Sequence, residues 1–306
     1  MKIVLAVDGP LDVEATLARY RIWGEDPSNR LAADAFRRVL RVDDRLVPYE
    51  VRWTGSVDDG RLVAYASGHQ PAAVGAGIER EVRRVFGLDF DLPGFYRFAK
   101  SDAALAAVVE RLYGLRPTLS PTPLEMFVGS ITAQQVNLAF AFALRARVVR
   151  RYGTRMAIGG HEVYAFPEAA RLARVRAQEL RALQFSERKA EYVIGIAREI
   201  ATGALDLDAL SVAVDREVID RLTAIRGFGR WTADWFLARC LGRGPCCPAG
   251  DLGVRKAFEH YYGRGRSLSE KAIRRRAAPW GEYQNLAIHY LLVGLRTETR
   301  ASKDLM

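Results

Sequence analysis

The 306-residue sequence has few of the residues that build disulfide frameworks and metal centres. Its three cysteines are Cys240, Cys246 and Cys247. Their spacing fits neither a zinc ribbon nor a four-cysteine iron–sulfur loop. The four histidines, which show no ligand spacing, are His69, His161, His260 and His289. We therefore expect inert thiols in a reducing compartment, structural histidines and no cofactor held by these side chains.

Long apolar runs are also missing. No stretch approaches the ~18 consecutive apolar residues of a membrane span. Near the start, five apolar residues at 3–7 precede Asp8, and a run of that length is too short for the core of a secretory signal. We expect a soluble, cytoplasmic protein without a membrane partner.

Acidic residues are outnumbered by basic ones. There are 36 Asp and Glu against 46 Lys and Arg, a formal net charge of +10. Residues 221–256 contain seven basic and two acidic side chains, and residues 263–280 contain six basic and one acidic. These two segments together carry as much net charge as the whole chain. Such concentration favours a polyanionic partner, above all a nucleic acid.

Strand and helix patterns alternate in the first third of the chain. Residues 47–53 alternate apolar and polar side chains, a turn signal follows at 58–60, and a second strand pattern covers 61–65. Residues 36–42 form a neighbouring strand pattern, and residues 70–86 a helical one. We therefore assign residues 1–100 to an α+β N-terminal domain, a small antiparallel sheet with a helix on one face.

From about residue 100 the pattern turns helical. Thr122 and Glu125 form a capping box with Pro123 at the first helical position. The apolar helix that begins there is predicted to continue toward Arg151.

Two further helices have start and stop signals. Ser186 can cap a helix that ends just before Gly203. Ser267 and Glu270 form a second capping box, and the helix that follows must end near Pro279. The predicted fold class is α+β, a small antiparallel-sheet domain followed by a mainly α-helical segment over residues 101–306.

The most informative stretch is a glycine turn between two helices. An amphipathic helix from about Asp215 meets Gly227 and Gly229, and a second helix begins at once with Trp231. Backbone N–H groups at the start of that second helix are suited to bind phosphate, and the glycines let a DNA backbone approach closely. A simple helix–helix connection is the alternative for an isolated Gly-x-Gly.

Asp251 lies at a loop-to-helix junction between the two basic segments. Aspartate is a preferred N-cap, and most caps do no chemistry. A carboxylate at that position could also orient or deprotonate water and stabilise a nearby developing cation. The two roles are compatible.

These segments resemble the helix-hairpin-helix (HhH-GPD) superfamily of DNA glycosylases, and within it the alkylation-repair branch of the DNA-3-methyladenine glycosylase II type. The resemblance rests on residues 225–233 (IRGFGRWTA), 248–252 (PAGDL), 279–283 (PWGEY) and 131–137 (ITAQQVN), and it covers nearly the whole chain. It implies that residues 101–306 form an all-α glycosylase core, in which two helical subdomains flank the active-site cleft.

The resemblance also implies roles for single residues. Asp251 falls on the catalytic carboxylate. The positions of the base pocket are occupied by Trp231, Trp235, Trp280 and Tyr283. The positions that contact DNA are occupied by Gly227, Phe228, Gly229, Arg230 and Thr232 in the hairpin and by Gln134 and Gln135 in the central helix. The main-chain carbonyls that would hold a structural monovalent cation belong to Thr223, Ile225 and Phe228.

Trp231 bears on the type of reaction. Relatives that also nick the strand have a lysine there that forms a Schiff base, which an indole cannot do. The resemblance therefore implies a monofunctional enzyme of base excision repair. It would flip alkylated purines such as 3-methyladenine and 7-methylguanine out of double-stranded DNA and hydrolyse their N-glycosidic bond. Tryptophan faces would attract these cationic bases. We expect the protein to act as a monomer.

Two other functions remain open from the sequence. One is a non-catalytic helix-hairpin-helix DNA-binding protein, in which Asp251 is only a cap. The other is a glycosylase for other damaged bases, although the missing lysine nucleophile and four-cysteine cluster argue against oxidised or mismatched ones.

The sequence also departs from the family twice. Gln135 stands where an apolar wedge is common, and Leu252 stands where some relatives have an aromatic residue. The identity of the inserting residue and the shape of the pocket therefore stay open.

Overall fold

An antiparallel sheet forms the N-terminal part of the protein. The computed structural model describes the backbone of residues 1–304 and the side chains of residues 1–299. The five strands are β1 (Lys2–Leu5), β2 (Arg30–Leu31), β3 (Phe36–Val42), β4 (Arg45–Thr54) and β5 (Arg61–Ala66), in spatial order β1-β5-β4-β3-β2. The helices of this part are α1 (Val13–Leu17), α2 (Arg19–Ile22) and α3 (Ala72–Val85).

The sheet follows from local patterns in the sequence. Alternation places Tyr49 and Val51 of β4 on the buried face, where they share a core with Ile78 and Val82 of α3. All neighbouring strands pair antiparallel, with Thr54 opposite Arg61 at the end of the predicted hairpin. The predicted hairpin, neighbouring strand and covering helix are all confirmed.

Helices dominate the rest of the chain. They are α4 (Leu92–Ala99), α5 (Ala103–Arg111), α6 (Pro123–Ala133), α7 (Leu138–Tyr152), α8 (Ala169–Leu172), α9 (Ala177–Ala182), α10 (Glu187–Ala201), α11 (Leu207–Val212), α12 (Asp215–Thr223), α13 (Arg230–Phe236), α14 (Leu252–Tyr261), α15 (Glu270–Ala277) and α16 (Gln284–Asp304). A π-helical turn, Leu237–Leu241, continues α13, and a 3₁₀ turn, Ala278–Tyr283, links α15 to α16. The α+β fold class, with a sheet followed by a mainly helical segment, is confirmed.

The long helix predicted to start at Thr122 is in fact two helices. Thr122 caps α6 as predicted, but α6 ends at Ala133. Gln135 then has a φ of +55°, which is incompatible with a continuing α-helix. The Asn137 side chain accepts a hydrogen bond from the Phe140 N–H at 2.9 Å and so caps α7. Because the apolar periodicity continues from α6 into α7, the pattern alone did not reveal the break between them.

A second sheet lies in the segment predicted to be all-α, so that prediction is wrong for this stretch. Strands β6 (Thr154–Ile158) and β7 (His161–Ala165) form a hairpin. Gly159 and Gly160, with φ of +58° and +77°, make its two-residue turn. Ile158 and Val163 pack against Val39 of β3. The Gly-Gly pair was the signal that could have predicted this hairpin.

The caps of α10 and α15 lie where the sequence predicts them, except that the cap of α15 lies two residues later. The Ser186 side chain accepts from the Lys189 N–H at 3.3 Å and caps α10, and Gly203 beyond its end has a φ of +77°. The predicted capping box at Ser267 is wrong, because Ser269 caps α15 instead. That helix does end before Pro279.

Hydrophobic side chains form two large clusters within the helical part. One joins residues of α6, α7, α10, α12 and α13. The other joins α4 and α5 to α14–α16, so that residues 92–115 pack with residues 247–292. Trp235 packs against both clusters. The glycine turn and Asp251 therefore lie where the two helical clusters meet. The division of the chain at residue 100 stays a prediction.

A buried ion network joins the sheet to α6 and α7. Arg38 of β3 donates to Glu81 and to Glu125, and Arg145 of α7 donates to Glu125 and forms an ion pair with Asp26. Burial by itself lowers the pKa of Arg38, but Glu125 and Glu81 together hold it well above its ordinary value. Because removing one partner would leave a buried charge uncompensated, the network ties these two helices firmly to the sheet.

Candidate active site

The glycine turn between α12 and α13 is fixed on its inner side and open on its outer side. Gly227 has a φ of +93°, and a Cβ there would come within 2.4 Å of the Tyr192 ring. Phe228 is buried against Phe127, with ring centroids 5.1 Å apart. Gly229 has a φ of −128°, and apart from the glycine itself and its two chain neighbours no described atom lies within 4 Å of the position its Cβ would take. Only Gly227 therefore requires glycine for the fold.

The first turn of α13 presents unused backbone donors. In the described part of the chain, the N–H groups of residues 229–232 donate to no protein acceptor, whereas the Ala233 N–H donates to the Gly229 carbonyl at 3.2 Å. The Thr232 side chain is buried, so this residue offers only its backbone. The Arg230 guanidinium is half-exposed beside these donors and donates to Asp234 at 2.8 Å. Free N–H groups at a helix N-terminus form an anion-binding site.

Asp251 is held by four N–H donors. Its Oδ1 accepts from the backbone N–H groups of Gly253 at 2.8 Å and Val254 at 3.1 Å, which makes it the N-cap of α14. Its Oδ2 accepts from the indole N–H of Trp231 at 2.8 Å and of Trp235 at 3.2 Å. A carboxylate has about four acceptor positions, so this set fills them and fixes the group in place.

The two indoles reach Asp251 because of their spacing. Trp231 and Trp235 are four residues apart on α13, so their side chains lie on one face of the helix. Both are half-buried. The structure therefore brings two of the four residues predicted for the base pocket into direct contact with the predicted catalytic carboxylate.

Trp280 and Tyr283 lie elsewhere. The buried Trp280 ring packs 5.6 Å from the Phe258 ring and also contacts Tyr262. The Tyr283 hydroxyl donates to Asp91 at 3.1 Å. Among the described side chains, no hydrogen bond or ring contact joins either residue to Asp251 or to the two indoles, so their assignment to the base pocket stays a prediction.

The two glutamines of the α6–α7 break have different surroundings. The Gln134 amide donates to the Gly227 carbonyl at 2.9 Å and so joins the end of α6 to the hairpin. Gln135 is exposed, with its left-handed backbone at the tip of the break, and Val136 beside it is 36% exposed. Gln134 therefore braces the hairpin, whereas Gln135 and Val136 project from the surface.

The family follows from comparison with known proteins. The family described as HhH-GPD superfamily base excision DNA repair protein matches residues 128–282, about half of the chain. The chain belongs to this superfamily. The DNA-3-methyladenine glycosylase of Bacillus subtilis (strain 168) is 33% identical over 214 residues, which are 70% of this chain and 71% of that protein.

Solved structures agree with this assignment. The 3-methyladenine DNA-glycosylase from Archaeoglobus fulgidus superposes with a TM-score of 0.84 over 96% of this chain and 98% of that one, at 25% identity. An 8-oxoguanine glycosylase/lyase of Clostridium acetobutylicum, solved with double-stranded DNA, shares the fold at a TM-score of 0.77 over 98% of both chains, at 18% identity. The protein is a DNA glycosylase that hydrolyses N-glycosidic bonds, and its partner is DNA. The predicted superfamily and enzyme class are confirmed.

The glycosylase also has polar residues behind the indoles that the sequence did not point to. Arg239, one helical turn after Trp235, lies with its guanidinium 5.3 Å from the centroid of that indole. It donates to the side-chain oxygen Oδ1 of Asn285 and, at 3.1 Å, to His289 Nδ1. Burial lowers the pKa of Arg239 to about 9. The four-residue spacing of Trp231, Trp235 and Arg239 was the available signal.

His289 is a neutral acceptor in this arrangement. Because arginine can only donate, the His289 Nδ1 that meets Arg239 carries no proton. Burial and the positive charge of Arg239 lower the pKa of His289 well below its ordinary value. The structural role expected for His289 stays a prediction.

The basic surface of the glycosylase is partly paired with acids. Arg226 donates to Glu191 at 2.8 Å, and both Arg230 and Arg274 contact Asp234. The exposed cations of α14 and α15 that form no salt bridge within the described chain are Arg255, Lys256, Lys271 and Arg275. These four are available for phosphates without breaking an ion pair.

The other expectations concern metals, thiols and membranes. Within the described residues there is no cluster of three or more His, Cys, Asp or Glu that could hold a metal ion. All three cysteines are free and buried, and burial raises the pKa of Cys247 to about 11, so these thiols are unreactive. No helix in the described part of the chain has the length and apolar character needed to span a membrane.

The predicted cation site at the hairpin concerns three carbonyls. The Ile225 carbonyl accepts from the Phe228 N–H at 3.0 Å. The carbonyls of Thr223 and Phe228 accept no hydrogen bond from any described residue. Two unused carbonyl oxygens and a third with a spare lone pair fit a monovalent cation. The cation itself stays a prediction.

Proposed function

We propose that this glycosylase removes alkylated purines from double-stranded DNA by flipping the damaged nucleotide toward Asp251, and that Asp251 is the catalytic carboxylate. The observation that carries the proposal is the direct contact of Asp251 with Trp231 and Trp235, next to a hairpin that has unused N–H donors. A protein that only gripped the DNA backbone would need no carboxylate beneath half-buried aromatic rings. The names of its relatives supply the substrate class.

The carboxylate acts as a fixed negative charge. As the N-glycosidic bond breaks, positive charge develops on the sugar, and a nearby carboxylate lowers the energy of that state. Because four N–H groups hold Asp251 in place, little reorganisation is needed when the charge appears. Its Oδ1 stays on the helix cap, so the indole-bound Oδ2 is the oxygen that borders the pocket.

The hairpin and the α6–α7 break contact different parts of the DNA. The N–H groups of residues 229–232 bind the phosphates of the strand, and Gly229 allows the close approach. Gln135, with Val136 beside it, fills the gap that the extruded nucleotide leaves. The Gln134 brace keeps this loop and the hairpin at a constant separation.

The reaction stops at an abasic site. Forming a Schiff base requires a lysine amine at the sugar, and position 231 in the hairpin is an indole. The product strand therefore stays intact until heat or alkali breaks it, as for a monofunctional enzyme.

The experiment that tests the proposal uses methylated duplex DNA. Purified protein is incubated with it, and the released bases are identified by mass. We expect 3-methyladenine and 7-methylguanine in the supernatant, and none from a protein in which Asp251 is replaced by Asn. Asp206→Asn is the matched control, because Asp206 also caps a helix, accepting from the Ala209 N–H at 2.9 Å on the exposed α11. Release of no methylated purine would refute the proposal.

A further inference from the structure

An open cavity of about 240 Å³ lies beside the glycine turn, on the face of α13 that carries Arg230 and Asp234. Arg274 of α15 forms another part of its wall. The Asp234 carboxylate is buried, with 3% of its side chain exposed, whereas the side chains of Arg230 and Arg274 are 53% and 31% exposed. The negative charge therefore lies deeper in the protein than the two positive charges, which are open to solvent.

The Asp234 carboxylate holds both arginines. Its Oδ1 accepts a hydrogen bond from Arg230 Nε at 2.8 Å, and its Oδ2 accepts one from a terminal nitrogen of Arg274 at 2.7 Å. The other terminal nitrogen of Arg274 donates to the Cys247 carbonyl at 2.6 Å. A guanidinium group is planar and rigid, so these bonds restrict the orientation of both groups before any ligand arrives.

The arginine pair retains unused donors and positive charge. Within the described chain, neither terminal nitrogen of Arg230 donates to an acceptor, and Nε of Arg274 donates to none. Two guanidinium groups and one carboxylate leave one net positive charge. A second carboxylate in the wall, Asp215, is opposed by Arg243 at 3.6 Å. Such a site fits a compact anion with several acceptor oxygens, and a phosphate is one.

The two arginines belong to different halves of the helical part. Arg230 begins α13, whose Ala233 and Phe236 belong to the cluster that also contains residues of α6, α7 and α10. Arg274 lies on α15, whose Ile273 belongs to the cluster that joins α4 and α5 to α14–α16. One phosphate bound by both arginines therefore bridges the two clusters. It does so from the same helix, α13, that brings the indoles to Asp251.

We propose that Arg230 and Arg274 jointly bind one backbone phosphate of the DNA, and that Asp234 is the positioning residue that holds them for it. This site is separate from the N–H groups of residues 229–232, which bind a neighbouring phosphate of the same strand. The inference rests on the part of the proposed function that places the DNA strand on the glycine turn. It assumes nothing about the base that is removed.

The test removes the charge of one phosphate at a time. Each duplex contains a stable abasic analogue, which fixes the position of the protein, and a single uncharged methylphosphonate at one of the successive linkages near it. Affinity is measured for each duplex, and no base is released during the measurement. For the unaltered protein we expect a loss of about tenfold at the phosphate of the arginine pair, as for one charge-assisted contact.

Arg274→Gln should bind the unsubstituted duplex about tenfold more weakly and should no longer respond to the methylphosphonate at that linkage. Its response at the phosphate of residues 229–232 should remain. Arg230→Gln should behave in the same way, and the double variant should lose no more than about threefold beyond either single one, because both changes remove one shared contact. The matched control is Arg155→Gln, which also removes one charge and one ion pair, with Glu162 in the β6–β7 hairpin that packs against β3.

Asp234→Asn separates positioning from charge. The substitution makes the site one unit more positive, so a purely electrostatic role predicts tighter DNA binding. Positioning predicts binding that is weaker by about threefold or more, because one amide oxygen cannot hold both guanidinium groups and the amide NH₂ would face one of them. A retained response at the phosphate of residues 229–232 shows that the variant is folded. Tighter binding by this variant would overturn the positioning role.

Other outcomes separate this inference from the proposed function. If Arg274→Gln responded to every methylphosphonate as the unaltered protein does, the inference would be wrong and the contact at residues 229–232 would stand. A double variant whose loss is the product of the two single losses would show that the arginines contact separate phosphates, which also contradicts the shared site. If no methylphosphonate weakened binding of the unaltered protein, both this inference and the phosphate contact in the proposed function would be wrong.

Discussion

Replacing Asp251 by Asn removes one negative charge from the pocket while keeping the size of the side chain. A carboxylate about 4 Å from a full positive charge contributes about 4 kcal/mol at an effective dielectric constant near 20. That energy corresponds to roughly three orders of magnitude in rate. We therefore expect Asp251→Asn to release 7-methylguanine about a thousandfold more slowly than the unaltered protein.

The structure also predicts a cost in stability for this variant. Asn has one acceptor oxygen where Asp251 uses two, and each oxygen accepts two N–H groups. Whichever pair the amide oxygen accepts, its NH₂ group faces the other pair. Leaving such donors without an acceptor costs about 1–3 kcal/mol. Thermal unfolding should therefore shift down by a few degrees, and the assay must be run well below that transition.

The assay separates catalysis from binding. Single-turnover release is measured with enzyme in excess, and affinity is measured separately on a duplex that contains a stable abasic analogue. Affinity should stay similar, because the hairpin donors are untouched, and Asp206→Asn should behave like the unaltered protein. If Asp251→Asn kept more than about a tenth of the rate, the loss would be under ~1.4 kcal/mol and the catalytic assignment would be wrong.

Four further predictions test the hairpin, the chemistry and the pocket. Affinity for undamaged duplex should fall with salt with a log–log slope of about −3 or steeper, and a flat titration would contradict phosphate binding. Gly229→Ala should fold normally and weaken DNA binding, whereas Gly227→Ala should lower the unfolding temperature because its methyl group meets the Tyr192 ring; equal stabilities would contradict this distinction. Borohydride should trap no protein–DNA adduct, because Trp231 has no amine, and a trapped band would identify another lysine as nucleophile. Because the folded-state pKa of His289 is depressed, its contribution to stability is complete above the unfolded value near 6.5 and declines as pH falls below it. The melting temperature of His289→Gln should accordingly fall less between pH 7.5 and 5.5 than that of the unaltered protein.

Much of the local structure could be predicted because it depends on neighbours within a few residues. The caps at Thr122, Ser186 and Asp251 each satisfy N–H groups two or three positions along the chain, and side-chain type alone reports that capacity. Strand alternation likewise predicted the hairpin of β4 and β5.

The errors have equally physical causes. The break after α6 depends on one left-handed residue, Gln135. Because the apolar pattern continues through this residue, the pattern does not indicate where the helix ends. The assignment of Trp280 and Tyr283 to the base pocket rests on resemblance alone and stays a prediction. In the structure the Trp280 ring is buried in the core beside Phe258, and the partly exposed Tyr283 ring packs against Phe95, as aromatic side chains do without lining a pocket.

The sequence by itself determined the excess of basic charge, the glycine turn and the N-cap at Asp251, because each is a property of composition or of a few adjacent residues. Only the tertiary structure decided which side chains meet at the carboxylate. Trp231 and Trp235 reach Asp251 because the two helical clusters pack against each other through α13. The Arg296 guanidinium likewise lies 5.6 Å from the centroid of the Trp23 ring, although the two residues come from opposite ends of the chain. Spacing along a chain does not say which faces of separate helices will touch, since side-chain packing between those helices sets that choice.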